Sequence, residues 1–287
     1  MFLNPGILCG IIAMLAFGIS DGLAKAPSQK LHATTFICYR NGIVSLLLLG
    51  AFFVLPLPFT FSLHYALIAL AIGAAGYIPL ATFYAALARG KTGVVTPIAN
   101  ASVLFTVLFS MFFFSERLTT QQTIALVMII AGIIAVSINF RDVRSSHLFT
   151  LSSGIPYALV TCIMWGIVFF LFRIPVAVLG PILTSLLIEF AIFLCSLLHL
   201  MSSSATWKIA ERSILAKVIL VAVLGAIALA AYAVGILYEK VSIVSALAFA
   251  SPVVALGYAK LVHKEKLSKN QLAAVLMLVT GIVLISM

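Results

Sequence analysis

The sequence predicts an all-α membrane protein of ten transmembrane helices arranged as two inverted five-helix repeats, and three observations predict it. The first is composition. Of 287 residues, 64% are hydrophobic and 8% charged, where soluble domains run at roughly 45–50% apolar and about 25% charged. The second is segmentation. The apolar residues gather into runs of helix length, and a span needs about 20 of them because backbone N–H and C=O groups in hydrocarbon must pair within their own segment. The third is duplication. Thr92 to Ser137, shifted by 149 positions onto Val241 to Ser286, keeps Val95/Val244, Ala99/Ala248, Ser102/Ser251, Glu116/Glu265, Leu118/Leu267, Gln122/Gln271, Gly132/Gly281 and Ser137/Ser286 without a gap.

Taken in order, span one runs from Gly6 to about Ala24. No Lys or Arg precedes it, and Gly6 and Gly18 recur as Gly154 and Gly166 at an offset of 148, so it reads as a retained helix rather than a cleaved leader. Span two, Ala33 to Leu55, stops at Pro56-Leu57-Pro58, where the missing N–H and the fixed φ end a helix. Span three covers His64 to Ala88, span four Gly93 to Phe114 and span five Gln121 to Phe140. A polar link from Arg141 to Leu151 separates two units, residues 1–144 and 152–287. Spans six (Gly154 to Phe172), seven (Gly180 to Met201), eight (Leu215 to Tyr238), nine (Ser242 to Val262) and ten (Asn270 to Met287) complete the second unit. The turns Ser115-Glu116-Arg117-Leu118 and Lys264-Glu265-Lys266-Leu267 lead into Thr119-x-x-Gln122 and Ser268-x-x-Gln271, two capping boxes in which hydroxyl and amide side chains satisfy first-turn N–H groups. Pro252 in span nine faces Val103 in the first copy, while Pro97 lies six residues earlier, so the kinks of spans four and nine need not match.

Five spans per unit is an odd number, so the second copy enters the bilayer from the opposite side. Inverted repeats of this kind are a hallmark of secondary transporters, whose substrate site lies near the midplane between the repeats. The formal charge of +10 is spread over short loops beside apolar spans and reads as a topology signal rather than a nucleic-acid surface. Loops 1–2, 3–4, 5–6, 7–8 and 9–10 carry most of the Lys and Arg, while the other side has Arg117, Arg173 and Lys240. The positive-inside rule then places both termini outside. Cys9, Cys38, Cys162 and Cys195 lie in apolar runs without metal or C-x-x-C spacing and read as packing residues.

The paired turns (Glu116-Arg117-Leu118 with Gln122 and Gly132; Glu265-Lys266-Leu267 with Gln271 and Gly281), with Phe17-Gly18 and Trp165-Gly166 in the opening spans, make the chain resemble the EamA-like branch of the drug/metabolite transporter superfamily over nearly its whole length. The resemblance implies a carrier of amino acids, other small metabolites or drugs, often an exporter. It also implies termini in the cytoplasm, against the charge count.

Ionisable side chains inside spans are costly and usually face a cavity or a partner. Arg40 and Glu189 sit well inside spans two and seven at equivalent positions. At about 1.5 Å per residue they lie roughly 10 Å and 13 Å from opposite faces, which in a core about 30 Å thick leaves a gap a long Arg can bridge. They are expected to pair or to line the pathway together, the alternative being an Arg40 that snorkels and a protonated Glu189. Asp21 and Lys25, one turn apart, read as a helix-end salt bridge, with Asp21 the next candidate for proton or cation coupling. Asn100 either orients substrate or ties two helices together. Tyr84 and Tyr238, near span ends, read as interfacial anchors. Tyr77, Trp165 and Tyr232 lie deeper and either wall a cavity or pack. Ser251 lies beside Pro252, which frees a backbone carbonyl in a face of small residues. Glu116 and Glu265 read as structural turn residues that hold a neighbouring cation or a helix N-terminus.

An intramembrane enzyme would need convergent nucleophiles or ligands. No H-E-x-x-H or paired Asp occurs, and the histidines share no spacing. A channel or assembly subunit is the other alternative. The expectation is a non-enzymatic, multi-pass protein of a bacterial inner membrane, without metal or cofactor, a monomer or weak dimer whose partners are a small-molecule substrate and the lipid bilayer.

Overall fold

The computed structural model describes residues 4–137, 153–203, 205–208, 211–254, 257 and 269–286, and these are all-α. The helices are α1 (Pro5–Lys30), α2 (Ala33–Val54), α3 (Leu63–Arg89), α4 (Thr92–Asn100), α5 (Val103–Phe113), α6 (Thr120–Ser137), α7 (Ile155–Leu171), α8 (Arg173–Leu179), α9 (Pro181–Ser202), α10 (Arg212–Tyr238), α11 (Val241–Phe249) and α12 (Lys269–Ser286). Prolines at the starts of α1, α7 and α9 stand where a helix leaves an N–H without a partner anyway. The capping box before α6 is formed: the Thr119 amide donates to Gln122 Oε1 at 3.1 Å, and the Gln122 amide to Thr119 Oγ1 at 3.2 Å. Its counterpart at Ser268 lies outside the described residues.

Among the described residues seven helical stretches are long and apolar enough to cross a membrane: Pro5–Lys30, Ala33–Val54, Leu63–Arg89, Thr92–Phe113, Ile155–Leu179, Pro181–Ser202 and Arg212–Tyr238. Three shorter apolar helices, Thr120–Val136, Val241–Val254 and Leu272–Ser286, accompany them. Two details differ from the sequence reading. Span six of the sequence does not stop at Phe172 but passes a joint there and continues as α8 to Leu179. The breaks in the fourth and ninth segments do match, because both fall at equivalent residues: Ala101 and Ser102 separate α4 from α5, and Ala250 and Ser251 follow α11. The tightened bonds coincide as well, Leu104 N to Ala101 O at 3.0 Å and Val253 N to Ala250 O at 3.1 Å. The break belongs to the repeated segment rather than to the proline position, since Pro97 precedes it in one copy and Pro252 follows it in the other.

Packing obeys a pseudo-two-fold axis that exchanges the repeats. Equivalent helices pair antiparallel. Along α2 and α9, Thr35 reaches Thr206 O, Arg40 reaches Glu189, and Gly42 faces Phe193. Along α6 and α12, a Cβ on Gly132 would meet Leu278 and Ala274 O, and one on Gly281 would meet Ile129 and Ala125 O, each set the image of the other. The remaining helices gather into two bundles that do not coincide with the halves of the sequence. In one, α1 packs on α10 and α11, and α10 on α2; in the other, α7 packs on α3, α4 and α5, and α3 on α9. The axis exchanges these bundles, and each takes helices from both repeats. Between them runs a seam where α2 meets α9, α1 meets α3, and α5 meets α11.

Candidate functional site

The seam buries charge. Arg40 Nη1 donates to Glu189 Oε2 at 2.8 Å, and Asn41 Nδ2 donates to the same oxygen at 2.7 Å. The side chains of the pair are only 7% and 5% exposed. Arg40 Nη1 also reaches Asn41 Oδ1 at 3.2 Å, while its Nε is buried without a partner. The guanidinium lies flat on α10 because position 225 is glycine, where a Cβ would stand 2.4 Å from Nη2 and 3.1 Å from Cζ. Of the two arrangements open to Arg40 and Glu189 from the sequence, the structure shows the direct pair. It joins the same position of two antiparallel copies across the two-fold axis.

Asp21 on α1 extends this cluster. It is buried, with the Asn100 side chain of α4 and the Arg40 guanidinium as its polar neighbours. Asn100 Nδ2 donates to Thr96 O at 2.9 Å, one turn back in its own helix. The expected Asp21–Lys25 salt bridge is replaced by another contact. Lys25 Nζ turns the other way and donates to the carbonyls of Leu87 and Gly90, where α3 ends. Those carbonyls have no partner in their own helix, and the ammonium reaches them in place of the Asp21 carboxylate. Tyr84 is likewise no interfacial anchor. It is 4% exposed, stacks on Phe36 at 4.2 Å between ring centroids, and stands within the fields of Arg40, Asp21 and Glu189. Its place near the end of α3 is deceptive because position along a span does not report which face a side chain takes. Tyr238, in contrast, is exposed at the end of α10.

The other candidates are spread around this centre. Tyr232 is fully buried, donates to Phe169 O at 3.1 Å, shares a bond with Ser245 at 2.9 Å and packs edge-on to Phe169 and Phe172. Trp165 is half-buried against Phe83, with 4.8 Å between ring centroids. Tyr77 lies on the α9 side, bonded to His199 Nδ1 at 2.6 Å and facing Thr34 at 3.4 Å. Ser251 is buried with no partner for its hydroxyl, as is its equivalent Ser102. The carbonyls of both serines approach a glycine of the opening helix, since a Cβ on Gly18 would stand 2.7 Å from Ser251 O and one on Gly166 3.0 Å from Ser102 O. This close approach gives the Phe17-Gly18 and Trp165-Gly166 pairs their physical meaning. Glu116 accepts from the Val241 and Ser242 amides at 2.8 and 3.1 Å, holding the start of α11 where the helix dipole favours a carboxylate. Glu265 lies outside the described residues. Tyr232→Phe is expected to lower stability by about 0.5–1.5 kcal/mol, the worth of an ordinary buried hydrogen bond, as read by thermal unfolding in detergent.

Sequence reasoning missed Asn41, His199 and the contact made by Lys25. Asn41 follows Arg40 directly, and a second intramembrane polar group beside a charge is the signal that would have found it. Lys25 has a more specific one. Lys25-Ala26-Pro27 recurs as Arg173-Ile174-Pro175 at the 148 offset, and Arg173 Nη1 donates to Ile236 O, the two-fold image of Leu87 O. Two cavities flank the seam. One of about 420 Å3 opens between Phe114, Glu116, Arg173 and Leu237–Lys240. The other, about 400 Å3 and apolar, lies on the α2–α9 groove at Gly42, Ser45, Leu46, Leu49 and the facing side of α9. Among the described residues no group of His, Cys, Asp and Glu is placed to hold a metal ion.

Comparison with known proteins follows the same division into repeats. An uncharacterized protein of Methanocaldococcus jannaschii is 29% identical over 139 residues, 48% of this chain and 99% of that protein, so the relative is one repeat long. A solved crystal structure shares the fold across 99% of this chain and 96% of its own at a TM-score of 0.75, with 19% identity. The profile of the EamA-like transporter family matches residues 4–138 and again residues 152–287, one match for each set of helices exchanged by the two-fold axis. With both repeats matched, the chain belongs to the EamA-like transporter family, a family of multi-pass membrane transporters.

Proposed function

We propose that this protein is a secondary carrier that moves a small metabolite, an amino acid or a related amphiphilic solute, across a bacterial inner membrane by alternating access. In this reading the ten apolar segments all cross the bilayer, the repeats are inverted in it, and the two interleaved bundles rock about the seam. The observation that carries the proposal is the Arg40–Glu189 pair, buried where antiparallel copies of one helix meet. A charge pair is an expensive way to glue two helices in hydrocarbon. It is useful where one partner must be released to a solute or a proton. Glu189 is the coupling group, Arg40 its counter-ion, and Asp21 with Asn100 the polar wall opposite. In this reading Glu189 couples export to proton entry by being discharged at one face and recharged at the other.

The test is counterflow in proteoliposomes, with solutes first chosen by a thermal-shift screen against amino acids, nucleosides and amphiphilic cations. A carrier gives trans-stimulated uptake; uptake that is indifferent to solute on the far side indicates a pore and ends the proposal. Within a carrier, Glu189→Gln is expected to abolish the dependence of transport on the proton gradient while leaving exchange measurable. Full gradient-driven transport by this variant would remove Glu189 from coupling.

A further inference from the structure

We propose that Lys25 and Arg173 are the two gates of the seam, one at each face, and that each closes its face by clasping the carbonyl end of a helix in the opposite bundle. The inference rests on the carrier reading for its purpose but not for its geometry. α1 and α7–α8 are equivalent helices, and their cations occupy equivalent positions near opposite faces. Lys25 reaches from the α1 bundle to Leu87 O and Gly90 O at the end of α3. Arg173 reaches from the α7 bundle to Ile236 O at the end of α10.

The acceptors suit the purpose. Leu87 and Ile236 lie in the last turns of α3 and α10, whose final carbonyls have no N–H of their own helix to accept and carry the negative end of the helix dipole. A cation there makes a charge-assisted bond without needing a carboxylate. Such a bond exchanges readily for water when the face opens, whereas a buried ion pair would not. Two residues after each cation comes a proline, Pro27 and Pro175, both buried. Neither has an N–H to give the carbonyl four residues back, Leu23 in one copy and Leu171 in the other. Each cation therefore sits on a helix end that has lost a rung of its ladder and can swing. At the Arg173 face the loosening is already visible as the joint at Phe172 and the cavity of about 420 Å3 that Arg173 lines. Both clasps are made in this structure.

The test uses reporters at another pair of equivalent buried positions, Ser28 and Val176, one turn beyond the gates. Ser28→Cys or Val176→Cys is introduced into the full chain, and labelling by a maleimide is followed for each cysteine by peptide mass spectrometry. Lys25→Met should raise the labelling rate at Ser28→Cys about tenfold, the population shift that loss of one charge-assisted bond produces, and leave Val176→Cys no faster. Arg173→Met should do the reverse. Should Lys25→Met lose the fold, Lys25→Gln, a shorter neutral donor, is read in the same way. Unchanged rates in folded variants, or both reporters rising together in either variant, overturn the proposal. Labelling needs no substrate, so a protein that shows counterflow but no face-specific labelling loses the gates and keeps the carrier. One that labels face by face but fails counterflow does the opposite.

Discussion

Removing one partner of the buried pair is expected to damage the protein more than removing both. Arg40→Met leaves Glu189 in a site with 5% side-chain exposure, with Asn41 as its remaining donor. Glu189→Met leaves a guanidinium whose Nε already lacks a partner. Stranding a charge in this way costs about 3–5 kcal/mol in proteins, because its desolvation is no longer offset by attraction. Replacing both by apolar groups of similar volume is often neutral or stabilising. The double variant Arg40→Met/Glu189→Met should therefore recover most of the thermal stability lost by either single variant, while transport stays absent. A double variant no more stable than the singles would show that the loss comes from the packing and hydrogen bonds the pair makes with Asn41 and Gly225 rather than from a stranded charge. Recovery of transport with recovery of stability would make the pair a structural fixture only. The design separates a charge retained for function from one retained for folding.

How far the sequence alone leads depends on which physical signal carries each feature. The helical segments are legible because hydrocarbon leaves the backbone little choice, and the repeats because a gap-free shift aligns glycines and turns that have the same geometric duty in both copies. The Arg40–Glu189 contact is legible because two costly residues at equivalent positions in inverted helices fall near the same depth. Lys25 is misread for a definite reason. Spacing along one helix finds neighbours at i+4, and Asp21 is such a neighbour, but the end of another helix competes for the ammonium and no spacing rule reports it. Tyr84 is misread because position along a span does not report which face a side chain takes, and this ring faces Phe36 and the buried charges. The interleaved bundles are invisible for a third reason: they follow from which faces of helices meet across the two-fold axis, and a nearly uniform apolar composition hides which face is which.

Gly18→Ala and Gly166→Ala offer the other large effect, and they test the two-fold axis itself. A methyl at position 18 would stand 2.6 Å from Val254 Cβ and 2.7 Å from Ser251 O; one at position 166 would stand 2.4 Å from Phe105 Cβ and 3.0 Å from Ser102 O. Neither obstacle is the free end of a flexible side chain. Each is the root of a side chain or a backbone carbonyl in the broken turn, so the whole segment must move away from the opening helix. Overpacking of this kind costs typically about 1–3 kcal/mol. The carbonyl brought close by the glycine belongs to the residue whose own hydroxyl is buried and unpartnered, Ser251 in one copy and Ser102 in the other. Moving the turn therefore disturbs the least satisfied polar groups at the centre of the protein as well as its packing. Both substitutions are expected to lower the thermal midpoint by similar amounts and to reduce transport together. If alanine at 166 is harmless while alanine at 18 is not, the copies have diverged in the part they play at the break, and the symmetric rocking of two bundles gives way to movement of the α1–α11 bundle against a fixed partner.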